Sequence, residues 1–150
     1  MALSTRCATA IHALTMLARR EREQPDELLS SSEIAESLAS NPVLVRRILG
    51  ALRDASLVVP VEGRGGGWHL ARPAEEITLF DAYAAVESGP VLPLYSHDPS
   101  RSCPVGRNMQ ALLEAEFADA ERAMADRLRE RTIACMLRQV LRRDGVPASS

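Results

Sequence analysis

The chain opens with apolar residues at Leu3, Cys7, Ala10, Ile11, Leu14, Leu17 and Ala18. Their intervals of three and four put them on one side of a helix that ends in the charged run 19–23. Ser30 and Glu33 then stand three apart just ahead of Ile34, Ala35 and Leu38, an arrangement in which each side chain satisfies a free backbone N–H of the other. That marks a second helix start. Asn41 offers an N-cap, and Pro42 a first helical residue whose missing N–H would have had no partner, so the turn before a third helix is short. On this third helix Leu44, Val45, Ile48, Leu49 and Leu52 share one side, leaving Val43, Arg46, Arg47, Gly50, Arg53 and Asp54 on the other.

Residues 57–61 form a β-branched run and Trp68-His69-Leu70 its return, with Arg64 at the tip of the glycine-rich connection Gly63-Arg64-Gly65-Gly66-Gly67. Two helices, a short turn and a hairpin predict a winged helix-turn-helix, mainly α with a small β wing. A glycine in mid-helix costs about 1 kcal/mol against alanine, so Gly50 on the outward face points to close approach of a large partner. Glycines at the wing can take φ > 0 and lie flat on a phosphate backbone, and an arginine there suits a narrow minor groove. The same glycines are no nucleotide loop, because no Lys-Ser/Thr follows and they feed a strand.

Downstream, residues 77–86 predict another helix, which Gly89-Pro90 breaks. A loop rich in Pro, Ser and Asp is expected over 89–106 and holds Cys103. Residues 108–131 contain neither Pro nor Gly, and Met109, Leu113, Phe117, Ala120, Met124 and Leu128 make a seam with Leu112 beside it. A winged helix is too small to cover a seam roughly 36 Å long at about 1.5 Å per residue. The same helix of a second subunit is the expected partner. A final helix over 132–143 and a frayed tail over 144–150 complete the reading. It divides the chain into a winged helix at 1–88, a regulatory loop at 89–106, and a dimerisation helix with a C-terminal helix at 107–150.

Composition narrows the partners. The 150 residues are 46% hydrophobic with no membrane-length run and no signal peptide, as expected of a cytoplasmic protein. A net charge of −2 argues against a nonspecific nucleic-acid coat. The positive charge is local: residues 40–72 carry five arginines against Asp54 and Glu62, a net of 5 − 2 = +3. Double-stranded DNA is the partner this stripe fits. A winged helix that binds protein instead would carry neutral outward faces.

Several strings are specific enough to identify a family: Ser31-Ser32-Glu33-Ile34-Ala35, Val45-Arg46-Arg47-Ile48-Leu49, Gly63-Arg64-Gly65-Gly66-Gly67-Trp68-His69-Leu70-Ala71-Arg72-Pro73, and Glu75-Glu76-Ile77-Thr78-Leu79 leading into Asp81. Together they resemble the Rrf-two family of winged-helix transcription regulators, which includes iron-sulfur and nitric-oxide responsive repressors. The resemblance implies a homodimeric regulator, a repressor by analogy, that reads a pseudo-palindromic operator with a helix over 41–53 and an arginine-bearing wing. With the faces read above, the expected DNA-contacting set is Ser31, Asn41, Pro42, Val43, Arg46, Arg47, Gly50, Arg53, Gly63, Arg64 and Gly65. Ser56 stands where the family usually ends its reading helix with glycine, and Glu62 where a basic wing residue is common.

Cluster-binding relatives carry three cysteines in the loop before the long helix, whereas here that loop holds Cys103 alone. The expectation is therefore no cofactor, with an iron-sulfur or metal-responsive regulator of non-standard ligands as the alternative. His12, His97, Asp98, Cys103 and Cys7 are the scattered donors such a mixed site would use across a dimer. Cys103, beside Arg101 and Arg107 and near a helix N-terminus, is instead the expected redox-responsive thiol, with Cys7 as its disulfide partner. Cys135 beside Met136-Leu137 reads as packing. A cysteine-dependent enzyme using Cys103 and His97 is the remaining class, without a supporting Ser-His-Asp or paired-carboxylate arrangement.

Overall fold

The computed structural model describes residues 4–147, so Leu3 and the last three residues of the predicted tail lie outside the described residues. In chain order the elements are α1 (Arg6–Glu23), α2 (Ser31–Leu38), α3 (Pro42–Asp54), β1 (Val58–Val61), β2 (Gly67–Leu70), α4 (Leu79–Val86), α5 (Pro104–Arg129) and α6 (Ile133–Arg143). A 3₁₀ turn at Ala74–Glu76 precedes α4. The chain is mainly helical with a two-stranded antiparallel wing, as predicted.

One core joins both ends of the chain. Ala10, Ala13, Leu14 and Leu17 of α1 meet Ile34 of α2, Val45, Ile48, Leu49 and Leu52 of α3, and Leu57 and Ile77 between elements. Ile133, Leu137 and Leu141 of α6 enter the same core. Backbone bonds fix that return: Ile133 N–H donates to Ile77 O at 2.8 Å and Leu79 N–H to Arg131 O at 2.9 Å. The sequence reading grouped α6 with the dimerisation helix. Its apolar stripe shows that one face is buried but not against what, and the burial is on α1.

Other boundaries shift for local reasons. Leu44, expected on the inward face of α3, is 38% exposed. At 100° per residue it stands about 90° off the line of Val45, Ile48, Leu49 and Leu52. α4 starts at Leu79 rather than Ile77 because Thr78 and Asp81 form a capping box, with Thr78 N–H to Asp81 Oδ2 at 2.8 Å and Asp81 N–H to Thr78 Oγ1 at 3.0 Å. α5 begins at Pro104, with Cys103 as its N-cap, so Gly106 lies in its first turn instead of ending the loop. A Cβ on Gly106 would come within 2.2 Å of Ser100 O; the glycine lets the loop backbone lie against the helix. The same loop is strapped further along, where Val91 and Leu92 N–H groups donate to Glu121 Oε1 at 2.8 and 3.2 Å. The described part of the tail, residues 144–147, does not fray. Gly145 takes φ 74° and Val146 N–H donates to Leu141 O at 2.9 Å, closing α6.

α5 packs chiefly on α4, and none of its 26 residues is buried. Met109, Leu113, Phe117, Met124 and Leu128 of the predicted seam are half-buried, Ala120 is exposed, and Leu112 is 60% exposed. Arg129 covers the Phe80 ring at 3.9 Å, anchoring the C-terminal end of α5 to α4. Among the described residues no helix is long and apolar enough to cross a membrane.

Candidate nucleic-acid interface

The start of α2 is held by three groups. Glu33 N–H donates to Ser30 Oγ at 3.2 Å, Ser30 N–H donates to Glu33 Oε2 at 2.9 Å, and Arg20 of α1 donates to Glu33 Oε1 at 2.8 Å. The Ser30 amide, followed by the Arg20 guanidinium, lowers the Glu33 carboxyl to about 2. Ser31 follows as the half-buried first residue of α2. α2 ends with Ala39 in the left-handed region at φ 48°. Three residues later α3 begins, where Asn41 Oδ1 accepts from Val43 N–H at 2.8 Å and Pro42 occupies the first turn. Those few bonds set the angle between the two helices.

Along α3 the outward residues are where the periodicity puts them. Asn41, Pro42, Val43, Arg46, Arg47 and Arg53 are exposed, and Gly50 is half-exposed. At Gly50 an added Cβ would meet nothing nearer than an Arg53 nitrogen at 3.9 Å, so packing within the protein does not require glycine there. The far end of α3 closes with Ser56 at φ 60°, its N–H donating to Arg53 O at 2.9 Å and Leu57 N–H to Leu52 O at 2.9 Å. Ser56 thus holds the backbone conformation that glycine would take without strain.

β1 and β2 pair with Val58 opposite Leu70 and Val61 opposite Gly67. Gly63 and Gly65 flank exposed Arg64 with φ 96° and 76° and open space around them. Gly66 has a different role: a Cβ there would lie 2.2 Å from Val61 O. Sequence reasoning missed that Leu29 adds a third edge to the wing, through Trp68 N–H to Leu29 O at 2.9 Å and Leu29 N–H to Trp68 O at 3.2 Å. A single bridging residue carries no alternation to reveal it. The base of the wing is tied to α1, where Glu21 Oε1 accepts from Leu70 N–H at 2.9 Å.

Electrostatics divide the five arginines of this stretch. Arg53 pairs with Asp54 at 3.2 Å and Arg72 with Asp81 at 3.2 Å. Among the described residues Arg46, Arg47 and Arg64 form no ion pair, which leaves their guanidinium groups open to an outside anion.

A family model described as Rrf2, iron-dependent transcriptional regulator, matches residues 3–139. This chain belongs to the Rrf2 family. YwnA of Bacillus subtilis, named as an HTH-type transcriptional regulator, is 32% identical over 131 residues, covering 87% of this chain and 93% of its own. The fold matches that of T. potens IscR, with a TM-score of 0.70 at 21% identity over 100% of this chain and 94% of that one. It also matches B. subtilis CymR, with a TM-score of 0.63 at 20% identity over 93% and 98%. This Rrf2 protein is a DNA-binding helix-turn-helix transcriptional regulator and not an enzyme, which sets aside the Cys103–His97 nucleophile.

The family description includes iron, and the donor set does not fit a resident centre within one chain. Cys103 is the sole cysteine of loop 87–103, Cys7 lies on α1 and Cys135 on α6. Among the described residues no three His, Cys, Asp or Glu side chains gather where a metal could sit. His12, a candidate ligand from sequence, shares a 2.8 Å hydrogen bond between its Nε2 and Ser37 Oγ, joining α1 to α2, and His97 is exposed in the loop. The three cysteines are free thiols in different surroundings. Burial, then Glu87, pushes the Cys7 thiol up, the opposite of an activated partner for Cys103. At exposed Cys103 the backbone N–H groups of Gly106, then Val105, lower the thiol. The neighbouring Arg101 and Arg107 do not lower it as expected; Arg107 donates to Arg101 O at 3.0 Å.

Proposed function

We propose that this Rrf2 protein is a cytoplasmic homodimeric repressor that reads a pseudo-palindromic operator. In this reading α3 enters the major groove, with Arg46 or Arg47 bidentate to a base edge and Val43 and Gly50 against the groove wall. Ser31, Asn41, Pro42 and Arg53 flank it on phosphates, and Arg64, carried between Gly63 and Gly65, enters an A·T-rich minor groove. One observation carries the proposal: the three arginines without ion pairs in this stretch are those on the outward face of α3 and at the wing tip.

Dimerisation through α5 is supported by a 26-residue helix with no buried residue, whose apolar Leu112 and Ala120 remain exposed. Met109, Leu113, Phe117, Met124 and Leu128 complete the proposed contact. Cys103 caps this helix, so oxidation there would act where the two long helices meet. No resident cofactor is needed in this reading. Anaerobically purified protein should show no cluster absorbance and no stoichiometric iron.

The test is binding to promoter DNA with single-base substitutions in the site. Losing a bidentate base contact through Arg46→Ala or Arg47→Ala should cost about 1 to 3 kcal/mol and relax preference at one base pair. Arg64→Ala should weaken binding through A·T-rich flanks. Wild-type affinity and preference in both helix variants would overturn the assignment of the reading face.

A further inference from the structure

α6 turns Ile133, Leu137 and Leu141 into the core and carries a different chemistry on its open side. Cys135, Arg138 and Arg142 follow at intervals of three and four, which stacks them along one stripe, and Arg131 stands just ahead of the helix. With Gln139 and Arg143 they line a cavity of about 330 Å³. The sulfur of Cys135 accepts hydrogen bonds from Thr132 Oγ1 and Arg138 Nη2, both at 3.2 Å.

Among the described residues none of these four arginines forms an ion pair, although the 3₁₀ turn that carries Glu75 and Glu76 packs on α6. Residues 131–143 contain four arginines and no carboxylate. Of the flanking acids, Glu130 pairs with Arg127 at 3.3 Å, and Asp144 acts on Arg19 of α1. The hydrogen bond from Thr132, then the smaller attractions of Arg138 and Arg131, hold the Cys135 thiol below its ordinary value. Guanidinium groups bind carboxylates through paired N–H donors, and a volume of this size admits a small molecule. The other thiols lack such a setting: Cys7 is raised by burial, and backbone amides alone lower Cys103.

We propose that this cavity is a reaction site for small disulfides bearing carboxylates: the arginines hold the anionic groups and Cys135 exchanges with the disulfide. The Cys135 thiolate attacks one sulfur, a new S–S bond forms as the old one breaks, and the second half departs as a thiolate with the electron pair. The incoming disulfide is the oxidant, so the sulfur of Cys135 is oxidised while the departing sulfur is reduced. The product is a mixed disulfide on α6.

The probes are dithiobis(nitrobenzoate), a dianionic disulfide, and dithiodipyridine, a neutral one. Both are reacted with the full chain carrying Cys103→Ser, which removes the exposed competitor, and adducts are located by peptide mass spectrometry. From about 0.01 M to about 1 M salt the screening length shrinks from roughly 30 to roughly 3 Å. The anionic reagent should then slow by about tenfold or more at Cys135, while the neutral reagent changes by less than about twofold. Arg138→Gln combined with Arg142→Gln should slow the anionic reagent alone. Equal salt dependence of the two reagents, or no adduct on Cys135, overturns the proposal. The reagent comparison needs no change to α6, and neither arm involves DNA, so the result is independent of the operator-binding proposal.

Discussion

At Ser56 and Ala39 the backbone is left-handed, with φ 60° and 48°, and each residue closes one helix of the α2–α3 pair. A side chain there costs about 1 to 2 kcal/mol relative to glycine, partly offset by the greater freedom glycine has when unfolded. Ser56→Gly and Ala39→Gly should therefore each stabilise the fold by about 0.5 to 1 kcal/mol, read from denaturant midpoints at unchanged m-value. Gly50 makes the opposite case, because nothing in the protein fills the space beside it. Gly50→Ala should raise stability by about 1 kcal/mol through helix propensity. If DNA backbone approaches there, the same variant should lose operator affinity, and a variant that gains stability without losing affinity would remove Gly50 from the interface. Ser56 was legible from sequence as a missing glycine. Ala39 was not, since alanine gives no turn signal.

Capping chemistry gave the starts of α2 and α3, although the Thr78–Asp81 box that starts α4 went unread. Ser30 with Glu33, and Asn41 with Pro42, announce α2 and α3 because a cap is made by residues close together in sequence. What depended on distant partners stayed hidden: the Leu29–Trp68 edge, and the glycine at 106 that the Ser100 carbonyl requires. The thiols show the same limit. Arg101 and Arg107 neighbour Cys103 in sequence, yet the cationic setting belongs to Cys135, where arginines a helical turn apart converge. The Glu33 cap also makes a prediction about acid. Its carboxyl titrates near 2 when folded, below the ordinary value of 4.5, so its stabilisation is complete above the unfolded value and is lost as pH falls from there toward 2. Because the side chain is 46% exposed, solvent screening holds the effect to about 1 kcal/mol or less. Glu33→Gln should flatten that part of the stability profile between about pH 5 and pH 2, measured by denaturation at a series of pH values. An unchanged slope would mean that Arg20 and Ser30 hold the helix start without the charge.

On the scale of the molecule, the winged helix is closed by its last helix as much as by its first. Ile133, Leu137 and Leu141 are nearly fully buried, and each such side chain contributes about 1.5 to 3 kcal/mol. Their sum is comparable with the roughly 5 to 15 kcal/mol that holds a domain folded. A chain ended after Glu130 should therefore lose its cooperative thermal transition, although every residue of the reading helices and wing is present; a retained sharp melt would show that α1–α3 and the wing suffice. This packing bears on how the protein is born. The groups that close its core leave the ribosome after α1 to α5, so α2, α3 and the wing wait without them until α6 has emerged. A prematurely terminated product, lacking α6, would be cleared as an unfolded chain rather than compete for DNA.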